Sequence, residues 1–255
     1  FELTTCTNGQ SEIQFQLAAW RPGRYELGNF SQNIQQWQAF DENNNVIPFK
    51  KITKDLWEVN TEGIEEVTIV YNFYANQLDA GACYLDDHQL YLNPVHCMFY
   101  LVGRMDEEYI LNLDIPHNYK IASSMALDGK ILKVKGYDLL AESPIICSDT
   151  LQYESYEVDG IPFHLWFQGA CNPDWSKLKK DFTAFTKSQI EHFGHFPVDE
   201  YHFLFQITPY RSYHGVEHTK NTVLLLGPSD KIMNEKYEDL LGVCSHELYH
   251  TWNIK

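Results

Sequence analysis

Residues 11 to 168 set short runs of β-branched and aromatic residues between turn signals, and that rhythm restricts the first two thirds of the chain to antiparallel sheet. The runs are "SEIQFQLAAW", "VTIVYNFYA", "QLYLNPV", "YILNLDI", "ILKVKGY" and "IPFHLWFQG", with turns such as "DENNN" and "LDGK" between them. Several alternate apolar with polar side chains, the period at which neighbours face opposite sides of a sheet. They predict an antiparallel sandwich or saddle over residues 1–168. The period then changes. In "CNPDWSKLKKDFTAFTKSQIEHFGHFP" the apolar residues Trp175, Leu178, Phe182, Phe185 and Ile190 fall on one helical face. Asn172 or Asp174 offers a cap, and Gly194 with Pro197 an end. Two strand-like runs, "YHFLFQI" and "NTVLLLG", precede a last helix. The expected class is α+β, a β-rich amino-terminal domain at 1–168 followed by a different unit at 169–255.

The last helix carries the chemistry. From Asn234, a candidate N-cap followed by Glu235 and Glu238, the residues Tyr237, Leu240, Leu241, Cys244, Leu248 and Trp252 recur at spacings of three and four. His246 and His250, four apart, lie one above the other beside that stripe, where both can hold one ion. Glu247, one residue along, reaches a water held there and can take its proton. This is the H-E-x-x-H pattern of zinc peptidases. With 11 histidines in 255 residues, the pattern arises by accident in roughly one chain in a few dozen, but an accidental surface pair has no buried stripe beside it. His192 and His195 near the end of the first helix read as partners of its dipole.

Composition narrows the function classes. With 255 residues, 44% hydrophobic and 15% aromatic, there is material for the core of one or two domains. The net charge of −16 argues against nucleic-acid or anionic-membrane partners. No run of about 18 apolar residues suggests a membrane span. Six scattered cysteines without a C-x-x-C pair indicate neither a zinc ribbon nor a disulfide framework, and point to free thiols in a reducing, cytoplasmic interior. Cys83 and Cys97 would face each other if the segment between them folds back. The start at Phe1 implies a trimmed or processed amino terminus.

Three motifs, in order, carry a family resemblance. "WRPGRYELGNFSQNI" at 20–34, "GVEH" at 215–218 and "HELYHTWNIK" at 246–255 together resemble the M61 peptidases, the glycyl aminopeptidase family. His214 stands where that family has the first glycine of a pair. The resemblance implies a thermolysin-like catalytic domain after the β-rich one, with His246 and His250 as zinc ligands and Glu247 as general base acting on the zinc-bound water. It implies that Glu217 lines the cleft and binds a peptide's α-amino group, with Gly215 beside it. His218 becomes a second cleft residue or a structural partner. The implied activity is removal of small amino-terminal residues, Gly or Ala, from peptides.

Catalytic zinc takes three protein ligands, and this helix offers two. A metzincin would have Gly where Asn253 stands. In the thermolysin-like class the third ligand is a Glu on a later helix, expected here beyond Lys255, so the chain reads as an amino-terminal piece without turnover of its own. Two other readings stand beside this one: a catalytically inactive peptide-binding relative, and a β-sandwich binding module whose H-E-x-x-H is accidental.

Overall fold

The computed structural model describes residues 1–24 and 27–255. Tyr25, which closes the "WRPGRY" part of the first motif, and Glu26 lie outside the described residues.

Two four-stranded antiparallel sheets form the amino-terminal sandwich. One runs Glu2–Cys6, Glu66–Phe73, Ile34–Asp41, Val46–Ile47 and the other Phe99–Leu101, Glu12–Leu17, Leu56–Asn60, Phe49–Lys51. Alternation decides which face is buried: Ile13, Phe15 and Leu17 turn inward to meet Val67, Ile69 and Tyr71, with Trp37 and Trp57 filling the middle. A three-stranded and a further four-stranded antiparallel sheet follow, closed around a second core containing Tyr137, Leu140 and Ile145.

The carboxyl-terminal sheet is mixed, in the order Gln152–Val158, Ile161–Gln168, Tyr201–Ile207, Asn221–Gly227, Ser212–Glu217. Ile161–Gln168, Tyr201–Ile207 and Asn221–Gly227 are parallel neighbours. The last two are buried along their whole length, as their unbroken apolar runs require of strands covered on both faces. One cover is helical. Trp175–Phe193 crosses from the second strand to the third, capped by the Asp174 carboxylate, which accepts the Lys177 N–H at 3.1 Å. Its Leu178 and Phe182 bury against Phe203 and Phe205 together with Leu240, Cys244 and Leu248 of the helix Tyr237–Tyr249. The other cover is the amino-terminal half: Leu204, Val223 and Leu225 pack on Tyr91, Ala122 and Ile146.

The architecture is therefore α+β, an antiparallel sandwich followed by a mixed five-stranded sheet with two helices packed on one face. The expected boundary after residue 168 falls inside the last sheet, where Phe163 to Gln168 pair with Tyr201 to Gln206. The sequence "SYHGVE" forms an edge strand paired antiparallel with Asn221–Gly227. The last helix starts at Tyr237, with Lys236 at the cap, rather than at Asn234. Asn234 instead uses its side chain locally, donating to the Asp230 carbonyl and accepting the Glu235 N–H. The helix ends at Tyr249, and residues 250–254 continue as tight turns in which Trp252 N–H reaches the Tyr249 carbonyl at 3.1 Å. All six thiols are free. Cys83 and Cys97 do approach one another, each donating to the Asn93 carbonyl at 3.6 Å. Among the described residues, no helix is long and apolar enough to cross a membrane.

Candidate active site

Burial of Tyr237, Leu240, Val243, Cys244 and Leu248 fixes the rotation of the last helix and so fixes where its histidines point. His246 and His250 stand with their Nε2 atoms 3.1 Å apart. His250 Nδ1 lies 3.2 Å from the Asn253 carbonyl, the contact that puts the ring proton on Nδ1 and leaves Nε2 as a lone pair. For bonds of about 2.0–2.1 Å, two nitrogens on one tetrahedral zinc sit about 3.3 Å apart, so the pair is close to ligating separation. The turn after the helix is anchored by Trp252, whose Nε1–H donates to the His195 carbonyl at 2.6 Å and whose ring stacks on Phe193. His195 thus contributes its backbone.

Facing this pair is the edge strand Ser212–Glu217. Odd-numbered positions turn toward the helix: Gly215 lies against Glu247, and Glu217 points into the same space. Carboxylate oxygens of Glu217 and Glu247 and a ring nitrogen of His250 lie within 4.8 Å of one another. Both carboxylates are buried, Glu247 at 5% exposure and Glu217 at 8%. Burial, helped by the neighbouring Glu217 and opposed by His214, pushes Glu247 up to about 7. Among the described residues, Glu247 Oε2 is buried without a hydrogen-bond partner, an atom of the kind that a cation or water satisfies. Donor set, spacing and orphaned oxygen all fit a divalent metal held by His246 and His250.

Two glycines make the approach possible. A Cβ at Gly215 would stand 2.2 Å from Glu247 Oε1 and 2.6 Å from its carboxyl carbon. Gly215→Ala is expected to push the Glu247 carboxylate aside and to cost about 1–3 kcal/mol of stability, the range for overpacking a filled site. Denaturant titration measures the loss. Gly23, in the first motif, has φ +70°, and a Cβ there would lie 2.9 Å from Glu217 Oε2. The "WRPG" loop of the sandwich is therefore a wall of the carboxylate pocket.

Other groups came from parts of the chain where no motif marked them. Asp79 holds His214 at 3.2 Å. The His214 contact, with the Gly81 N–H at 2.9 Å and Arg21 nearby, outweighs burial and keeps Asp79 down at about 2. Glu142 accepts the Thr219 N–H at 3.0 Å and meets Lys255 at 2.7 Å and His218 at 3.4 Å. Burial pushes the Glu142 carboxyl up, but His218 and Lys255 outweigh it and leave it below its ordinary value. Glu142 thereby ties the sandwich half to both ends of the site. Glu142→Ala is expected to cost about 1.5–3 kcal/mol of stability, the range for hydrogen bonds to a charged group, and denaturant titration measures it.

The structure thus brings His246, Glu247, His250, Gly215 and Glu217 together and seats His218 against Glu142 at their edge. Residues 2–149 match the family described as the Peptidase M61 N-terminal domain, and the chain belongs to the M61 peptidase family. Over all of its length it is similar to an aminopeptidase N family protein from Idiomarina loihiensis, with 29% identity and a TM-score of 0.91, and it spans 45% of that protein. It shares the fold of an M1 zinc metallopeptidase from Deinococcus radiodurans at 13% identity and a TM-score of 0.52, with 98% of this chain and 58% of the other covered. No curated protein sequence matches it.

Proposed function

We propose that this chain carries the metal-holding helix and the substrate-recognising strand of a zinc aminopeptidase that removes small amino-terminal residues, Gly or Ala, from peptides. The observation that carries the proposal is that carboxylate oxygens of the buried Glu217 and Glu247 and a ring nitrogen of His250 lie within 4.8 Å of one another, with His246 Nε2 3.1 Å from His250 Nε2. His246 and His250 hold the ion, with a third, carboxylate ligand from a later helix of the intact protein. Bound zinc supplies a Lewis acid that polarises the scissile carbonyl and makes water acidic. Glu247, whose buried carboxyl sits near 7 without an ion, takes the proton of the attacking water and delivers it to the leaving amine. Glu217 receives the α-ammonium of the substrate in a charge-assisted contact. The strand Ser212–Glu217 lies at the edge of its sheet, where an extended peptide can add alongside it. The two functional units are the amino-terminal half, made of the sandwich and the second antiparallel core, and the catalytic unit whose sheet begins at Gln152.

An amino-acyl anilide assay on the intact protein tests the reading. Free alanyl and glycyl anilides should be cleaved, amino-blocked ones should not, and chelation should abolish turnover until zinc is restored. Turnover that survives chelation would refute a zinc enzyme, and zinc bound without any turnover would leave a peptide-binding relative.

A further inference from the structure

A second set of metal-ligating side chains lies on the opposite face of the carboxyl-terminal sheet. Tyr201 sends its hydroxyl toward the Glu247 carbonyl, so its neighbour His202 points to the other face, where the parallel register sets it beside His164. Glu200 completes the group: its Oε2 lies 3.6 Å from His164 Nε2 and 3.5 Å from His202 Nε2. We propose that His164, His202 and Glu200 form a second divalent-metal site, of zinc type, independent of the H-E-x-x-H helix.

Three observations carry it. The separations are longer than the 2.7–3.2 Å or so of an N–H···O hydrogen bond and close to the roughly 3.3 Å edge of a tetrahedral zinc site. Among the described residues, both Nε2 atoms are buried without a hydrogen-bond partner, and the His202 side chain is only 8% exposed. The outer groups are in place: His164 Nδ1 lies 2.9 Å from the Tyr153 hydroxyl, which accepts its proton when Nε2 binds metal. Two imidazoles and a carboxylate suit zinc rather than calcium or magnesium.

One contact must change on binding. Trp166 Nε1–H donates to His202 Nδ1 at 3.2 Å, which keeps the His202 proton on Nε2. Metal at Nε2 moves that proton to Nδ1, and the indole N–H must then turn away. Metal binding is therefore coupled to the environment of Trp166.

The test uses the intact protein carrying His246→Ala and His250→Ala, so that the first pair is silent, and zinc(II) or cobalt(II) alone as probe. One equivalent of zinc should remain after dialysis against a metal-free buffer, and cobalt should give a saturable visible absorption at the same stoichiometry. Titration should shift tryptophan emission, and Trp166→Phe should remove that shift while leaving zinc bound. Adding His164→Ala and His202→Ala should abolish retention. Should that protein fail to fold, Glu200→Gln, a half-exposed change, should weaken zinc by at least about 100-fold, beyond the loss from an outer-sphere partner. No retained zinc, or retention unchanged by Glu200→Gln, overturns the site.

Discussion

Glu247→Gln should lower kcat by about 10²–10⁴-fold, the range for loss of a general base, while zinc content and thermal stability stay near those of the parent. Glutamine keeps the volume that fills the space beside Gly215, so packing is preserved. It also removes a carboxyl that burial and Glu217 already disfavour as an anion, so folding has little to lose. The histidine pair does not depend on it: His250 is oriented by the Asn253 carbonyl and His246 by the helix. Activity, metal analysis and a melting curve on one preparation separate proton transfer from metal holding. Retained turnover would sink the assignment.

Glu217→Ala should remove about 2–4 kcal/mol of transition-state binding, or roughly 30- to 1000-fold in kcat/KM, on substrates with a free amino end. The loss follows from the setting. Glu217 is buried, with Gly23 of the sandwich loop close beside its Oε2, so a substrate ammonium that loses this carboxylate finds little water to replace it. The free-minus-blocked comparison is the discriminating one. Equal losses on free and amino-blocked anilides would mean that Glu217 supports the strand rather than reading the substrate.

The helical part of the site was legible because its signal is local. The spacing of Tyr237, Leu240, Cys244 and Leu248 identifies a buried face, and His246 and His250 are placed by the same period. The sandwich was legible for the same reason, since Ile13, Phe15 and Leu17 alternate within six residues. The edge strand was not. "SYHGVE" has few β-branched or large apolar residues and is held by its register with Asn221–Gly227 and by burial under the helix, both tertiary effects. Asp79, Glu142 and Gly23 reach the site from the sandwich half, across contacts such as Glu142 to Thr219 that leave no trace in local pattern. The family motifs flagged Glu217 and the "WRPG" loop separately, and the fold shows why both occur in one chain: they touch.

Anomalous scattering at the zinc edge from crystals of the protein tests most directly whether His246 and His250 hold a catalytic zinc. A strong peak about 2.0–2.1 Å from both Nε2 atoms is expected. No peak between the two histidines, in protein that still hydrolyses amino-acyl anilides, would contradict it.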